Sequence, residues 1–287
     1  MKAVFKHEFK SYFSNLYGYV FSAFLLLFVG IYTMAYNLNG AYTNFEYVPY
    51  SMSFIFLIIV PILTMRVLAE EKKQKTDQLL YSLPLGMTKI ILGKYAAMLA
   101  VFLIPTLIMC VYPIILSGFG NVYLPEAFAS ILAFYLLGAA LLSIGMFISS
   151  LTESQAVAAG ICFAAMLVNY FIASLANYIS DTAFASMAAF TLIVIIIAVI
   201  VKIMTKNTFM TLLVGVVLEA INILFYVFDS TAFEGLFADV IEKLSLFERF
   251  YVFINGVFDI TGIVYFLSVI GIFLFLSVQS MEKRRWS

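Results

Sequence analysis

Charged residues are scarce in this chain, and their scarcity excludes an ordinary soluble enzyme. Only 11% of the 287 residues are Asp, Glu, Lys or Arg, whereas 64% are hydrophobic and the mean hydropathy is +1.06. A typical soluble domain has roughly 25% charged residues. The apolar runs are about 20 residues long and do not alternate with polar residues, so they predict membrane-spanning helices rather than barrel strands. The predicted fold class is therefore an all-α integral membrane protein.

Residues that could catalyse a reaction or bind a metal are equally few. There are two cysteines, Cys110 and Cys162, each inside an apolar run, and a single histidine, His7. This composition argues against a disulfide framework and predicts no metal site. The chain has no G-x-x-x-x-G-K-[ST] phosphate-binding loop, no Ser/His/Asp set and no pair of catalytic carboxylates. We expect no catalytic residue, no cofactor bound by this chain and no nucleic-acid partner.

The apolar runs predict about eight spans and a definite topology. The predicted spans are residues 16–36, 51–69, 90–116, 127–149, 155–176, 184–203, 208–228 and 259–279. With both termini in the cytoplasm, only Lys243 and Arg249 among the basic residues lie outside, as the positive-inside rule favours. If residues 184–228 instead form one re-entrant hairpin, the chain has six spans and the termini keep the same side.

Two further segments have amphipathic patterns. Residues 1–15 place aromatic side chains on one helix face and Lys2, Lys6 and Lys10 on another, which predicts an interfacial helix; the alternative is a plain basic flank of the first span. Residues 229–256 repeat apolar side chains at helical spacing and are too polar to span, so we expect helices at the outer membrane surface. No linker or repeat separates a second domain, and residues 1–287 are predicted to form one membrane domain.

The strongest concentration of charge is the segment 66–94, RVLAEEKKQKTDQLLYSLPLGMTKIILGK. Two acids open a helical run, leucines follow, and Pro84 with Gly86 ends the run. An ordinary solvated loop explains the lysines but not the exposed leucines. A short helix of this kind, presented to the cytoplasm, fits insertion into a groove of another protein.

Glu219 is the clearest ionisable residue inside a predicted span, and Asn222 lies three residues on, on about the same helix face. A carboxyl in hydrocarbon favours a neutral form that is hydrogen-bonded to Asn222 or to another helix. The structural interpretation and a direct role in substrate passage both stay open.

Three stretches carry a resemblance to a known family. They are MRVLAEEKKQKTDQLLYSLPLGMTKIILGKY (65–95), FKHEFKSYFSNLYGYVF (5–21) and FERFYVFINGVFDITGIVYFLSVIGIFLFLSVQSMEKRRW (247–286). In these the chain resembles the permease subunit of an ABC type-2 exporter, in the group of gliding-motility and nitrous-oxide-reductase-associated permeases. The common plan of that family has six spans, and the apolar insert 184–228 would add an extra pair.

The resemblance implies roles for particular segments. Residues 1–15 would be the connecting helix and 66–94 the loop that carries the coupling helix. The coupling-helix contacts with a separate ATPase would be Glu70, Glu71, Thr76, Asp77, Leu79 and Leu80. Glu153, in the SSLTES turn, would make a second contact.

The resemblance also implies an assembly. Two ATPase subunits, which bind ATP and Mg, would join two permease copies or homologues in the lipid of a bacterial cell membrane, with the substrate path between the permeases. One alternative function is an ion-coupled secondary transporter or channel that uses Glu219. Another is a scaffold that recruits a partner through residues 66–94 and transports nothing.

Overall fold

The computed structural model describes residues 1–76, 86–176, 178, 180, 182–205, 208–256 and 258–285. Within these residues the chain forms helices and no strand. The α-helices are α1 (Lys2–Ser14), α2 (Tyr17–Thr33), α3 (Tyr47–Met52), α4 (Phe56–Thr64), α5 (Ala69–Gln74), α6 (Met87–Met109), α7 (Val111–Ser117), α8 (Leu124–Leu151), α9 (Gln155–Ala176), α10 (Ala183–Thr205), α11 (Thr208–Phe228), α12 (Leu236–Leu244), α13 (Leu246–Ile254) and α14 (Ile260–Arg285). The predicted all-α class is confirmed.

Seven helical stretches among the described residues are long and apolar enough to cross a membrane. They are Tyr17–Asn39, Tyr47–Gln74, Met87–Ser117, Leu124–Leu151, Gln155–Leu175, Thr211–Phe228 and Ile260–Arg284. The remaining predicted span, 184–203, is also helical as part of α10, but its described apolar stretch, Ala183–Val199, is shorter than these seven. The chain is a multi-pass membrane protein in which every predicted span is helical.

Some predicted helices are interrupted. The predicted third span covers both α6 and α7, because the chain turns between Met109 and Val111. Pro113 has no N–H to donate to the carbonyl of Met109, so the helical ladder cannot continue unbroken through this point. In the predicted amphipathic segment, Gly235 adopts a left-handed φ of 70°, which separates a 3₁₀ turn at Thr231–Phe233 from α12.

The chain divides into two compact units. The first contains Met1–Val168 and Arg249–Ser287, and the second contains Asn169–Glu248. The core of the first unit lies between α4, α6 and α8. There the buried rings of Phe56 and Phe134 have centroids 4.5 Å apart, and Phe102 lies 5.8 Å from Phe56. A Cβ on Gly138 would lie only 2.4 Å from Phe102 Cε1, so this position needs glycine.

Small residues bring other helices of the first unit into close approach. A Cβ on Gly145 of α8 would lie 2.4 Å from Thr64 Oγ1 of α4. A Cβ on Gly93 of α6 would lie 3.1 Å from Val4 Cγ1 of α1. Such contacts are typical of helix packing in membranes, where small residues let two backbones come together. They hold α1 against α6 and α4 against α8.

The second unit is built on α10 and α11, which pack along each other, with α12 against α10. Phe190 contacts Phe237 edge-to-face, with centroids 5.3 Å apart, and the backbone N–H of Phe237 donates to Ser186 Oγ at 3.4 Å. The outer face of α11 exposes a row of large apolar side chains, among them Leu212, Val216 and Leu224. In a membrane such a face lies against lipid.

Candidate functional site

The polar residues of the first unit concentrate where the loop after α4 meets α1 and α6. The sequence of α5 explains its local geometry: Glu70 and Glu71 are in its first turn, and Lys72 and Lys73 are in its last. This order matches the helix dipole, with acids at the N-terminus and bases at the C-terminus. Helix α5 ends at Gln74, and the next residue, Lys75, has a left-handed φ of 57°.

Lys94 of α6 is the centre of this region. Its ammonium lies 2.6 Å from Glu8 Oε1 of α1 and 2.7 Å from Glu71 Oε1 of α5, and its side chain is only 2% exposed. We call these three residues the Lys94 cluster. Burying an ammonium costs several kcal/mol unless opposite charges compensate, and here two carboxylates do so. Three separate elements thus depend on one another electrostatically.

A pocket of about 480 Å³ opens beside the Lys94 cluster. Its lining comes from α1, from the turn before α5, from α5 and from α6. The lining residues are His7, Glu8, Ser11, Tyr12, Arg66, Val67, Glu70, Glu71, Gln74, Thr76 and Lys94. Every residue of the cluster therefore borders a space that is open to the surface of the first unit.

Tyr12 ties α1 to the end of α4. Its hydroxyl donates to the carbonyl of Leu63 at 3.4 Å. Burial raises the pKa of Tyr12, and the neighbouring Glu8 raises it further. The hydroxyl therefore stays protonated and remains a donor at neutral pH. With Lys94, this contact gives α1 two attachments to the elements that flank the loop.

The start of the loop is also fastened to the end of α8. Ser149 Oγ accepts hydrogen bonds from the backbone N–H groups of Leu68 at 3.2 Å and Ala69 at 3.1 Å. Lys72, which is 4% exposed, donates to the carbonyl of Ser150, and Ser280 Oγ of α14 donates to the same carbonyl at 3.0 Å. The carbonyl of Ser150 is thus a junction between α5, α8 and α14.

Three of the residues predicted to contact an ATPase make contacts within the protein itself. Glu70 accepts a hydrogen bond from Arg66 Nε at 2.8 Å, and the guanidinium of Arg66 lies 4.3 Å from the centroid of the Tyr17 ring. Glu71 belongs to the Lys94 cluster. Thr76 Oγ1 donates to the carbonyl of Glu71 at 3.3 Å. The remaining predicted contacts, Asp77, Leu79 and Leu80, lie outside the described residues.

Glu153, the predicted second contact, follows α8. Its carboxylate lies 2.7 Å from Arg284 Nη1 of α14, and its side chain is 61% exposed. An ion pair this exposed contributes at most about 1 kcal/mol. Glu153 therefore joins the turn after α8 to the C-terminal helix while staying accessible at the surface.

Glu219 lies in a polar cluster between α10 and α11 in the second unit. Thr191 Oγ1 of α10 donates to Glu219 Oε1 at 2.9 Å, and Asn222 Nδ2 donates to Thr191 Oγ1 at 3.2 Å and to the carbonyl of Met187 at 3.3 Å. Glu219 and Asn222 do share a helix face. Thr191, which sequence reasoning missed, is the residue on the neighbouring helix that both of them contact.

Sequence reasoning also missed the pairing role of Lys94 and Glu8. Lys94 ends the charged segment 66–94 in the sequence, yet it is the eighth residue of the apolar helix α6. A lysine at that depth is a signal in itself, because it needs a partner charge when its helix is packed. Within the described residues, no three His, Cys, Asp or Glu side chains come together as a metal site.

Comparison with known families decides the identity. A family model described as ABC-2 family transporter protein matches residues 2–277, nearly the whole chain. The chain belongs to this ABC-2 transporter family. No curated protein matches it in sequence. As an ABC-2 family member with seven helical stretches apolar enough to span among its described residues, the protein is a membrane permease component of an ABC transporter, a class that associates with an ABC ATPase.

Proposed function

We propose that this ABC-2 permease couples ATP hydrolysis by two separate ATPase subunits to export of a substrate. The ATPases would bind ATP and Mg²⁺, and a second permease copy or homologue would complete the assembly in a bacterial cell membrane. The proposal rests on family membership and, above all, on the Lys94 cluster, which joins the loop that would meet the ATPase to two other helices.

The Lys94 cluster supplies a mechanical connection. Residues 70–84 would form the contact with the ATPase, with Glu70 and Thr76 at its described end and Asp77, Leu79 and Leu80 within it. When the ATPases close around ATP, they would push on this segment. Because Glu71 is tied to buried Lys94, and Lys94 is tied to Glu8, the push would reach α6 and α1 together.

The attachment of the loop to α8 would separate the part of the loop that moves from the part that stays fixed. Ser149 holds the backbone at Leu68 and Ala69, next to the residues that would be pushed. That point would act as a pivot, since two hydrogen bonds fix the backbone there while α5 turns about it. Movement of the first spans relative to the others would then open a path between the two permeases, in the manner of a rigid-body rearrangement.

The first experiment tests the partner and the energy source. Affinity-tagged permease is purified from membranes of its own host, and co-purifying proteins are identified by mass spectrometry. The proposal expects an ATPase with a phosphate-binding loop in near-equal amount. It fails if no ATPase co-purifies, or if ATP-dependent conformational change in the permease survives substitution of the phosphate-binding-loop lysine with which the ATPase binds ATP.

A further inference from the structure

A second groove in the first unit lies between the spans α6 and α14, away from the Lys94 cluster. Its volume is about 360 Å³. From α6 it takes Thr88, Ile91 and Leu92; from α14 it takes Gly271, Leu274, Phe275, Val278, Gln279 and Glu282. The residues of α14 recur at three- and four-residue intervals, so they form one continuous stripe along the helix.

The groove changes character along its length. Ile91, Leu274 and Val278 are buried and form an apolar floor, whereas Phe275 is 61% exposed at the edge. At the deep end a Cβ on Gly271 would meet nothing within 4 Å, so this position leaves open space. At the other end the lining becomes polar, with Thr88, Gln279 and Glu282.

The length and polarity of the groove match one leaflet of a bilayer. At the α-helical rise of about 1.5 Å per residue, Gly271 and Glu282 are roughly 16 Å apart along the axis. Half of a hydrocarbon core of about 30 Å is about 15 Å. An acyl chain that starts at the polar end would reach Gly271 near the bilayer centre. Both walls are membrane-spanning helices, so lipid has direct lateral access.

The polar end selects the head group by charge. Among the described residues Glu282 makes no hydrogen bond or ion pair, although its carboxylate borders the groove. A carboxylate at this end complements a head group that carries an ammonium, with which it can form a charge-assisted hydrogen bond.

We infer that this groove binds a phospholipid whose head group carries a primary ammonium, such as phosphatidylethanolamine. One acyl chain lies on Ile91, Leu274 and Val278 and ends at Gly271. The head-group ammonium lies at Glu282. The inference does not depend on the proposed coupling to an ATPase.

The test measures lipid retained by the purified protein. The permease is reconstituted in nanodiscs that contain equal amounts of phosphatidylethanolamine and phosphatidylglycerol, and it is then released into detergent. Native mass spectrometry measures the mass of each lipid that stays bound. G271F fills the deep end, and G160F is the matched control, because Gly160 is also an exposed glycine of a membrane helix with open space around it. E282Q removes the charge at the polar end.

The expected result is a bound phosphatidylethanolamine that G271F loses and G160F retains. E282Q should lower the preference for phosphatidylethanolamine over phosphatidylglycerol by about tenfold, as loss of a charge-assisted contact implies. E282Q alters no packing, so it stays informative if G271F does not fold. Equal retention in G271F and G160F, an unchanged preference in E282Q, or a second copy of the chain lost on G271F in place of lipid would overturn the inference.

Discussion

At the scale of single residues, Lys94 carries the buried charge that joins α1, α5 and α6 in the first unit. Replacing it by methionine preserves the length of the side chain and removes the charge, which leaves Glu8 and Glu71 facing each other with 18% and 22% side-chain exposure. Breaking a buried ion pair in this way costs about 3–5 kcal/mol. We expect K94M to unfold at a clearly lower temperature in detergent.

The control for this stability measurement is K89M on the same helix. Lys89 is exposed, so its replacement should change the free energy of unfolding by less than about 0.5 kcal/mol. If K94M and K89M unfold at the same temperature, the carboxylates of Glu8 and Glu71 do not rely on Lys94.

The cluster in the second unit gives a different residue-scale prediction. In T191V, Glu219 loses its donor and Asn222 loses an acceptor, which should lower the free energy of unfolding by about 1–3 kcal/mol.

E219Q keeps an oxygen that can accept from Thr191, so it should leave the free energy of unfolding nearly unchanged. It should also leave ATP hydrolysis by the complex intact. If Glu219 instead coupled transport to an ion, E219Q would abolish ion-dependent transport.

The sequence was sufficient to predict the spans but not the pairs that join them. Hydropathy predicted the seven long apolar helical stretches of the described residues, because burial in lipid acts on each run independently. Lys94 and Glu8 are 86 residues apart, and their pairing depends on how α1 docks on α6. Local periodicity contains no information on that docking. Likewise, the face shared by Glu219 and Asn222 was predictable, whereas Thr191 was not.

At the scale of elements, the attachment of the loop to α8 is testable at one hydroxyl. S149A removes the acceptor for the N–H groups of Leu68 and Ala69, and each unsatisfied buried group costs about 1–3 kcal/mol. We expect faster amide hydrogen exchange at these two residues. S143A is the control, because Ser143 is equally buried on α8 but donates only to Ala140 of its own helix.

The same element-scale reasoning applies to the packing of α4 on α8. G145A would place a methyl group 2.4 Å from Thr64 Oγ1 and should destabilise the protein by about 1–3 kcal/mol, since the helices must separate. G160A, with open space around it, should be neutral or stabilising by up to about 1 kcal/mol, because alanine favours the helix. Thermal unfolding of both variants checks this, and equal effects would contradict the close approach.

These elements also explain why boundaries were harder to predict than spans. The predicted second span, 51–69, begins earlier in the structure, at Tyr47, and it is divided by a 3₁₀ turn at Ser53–Ile55. Hydropathy is insensitive to such breaks because the residues remain apolar throughout. The resemblance implies that Glu71 contacts an ATPase, yet in the structure its carboxylate is paired with the buried ammonium of Lys94.

At the scale of the whole molecule, the proposed mechanism requires a firm link between the charged loop 66–94 and the first spans. The link has two attachments: the Lys94 cluster to α1 and α6, and Ser149 to α8. Family membership identifies the class of transporter. The link is the proposed route by which a push from the ATPase reaches α1 and α6.

The most direct test of this central claim follows hydrogen exchange in α1 and α6 of the permease–ATPase complex, with and without ATP and Mg²⁺. In the wild type and in K89M, ATP should change exchange in both helices. In K94M the ATPase should still bind and hydrolyse ATP, but the ATP-dependent change in α1 should disappear. An ATP-dependent change in α1 that persists undiminished in folded K94M would contradict the account.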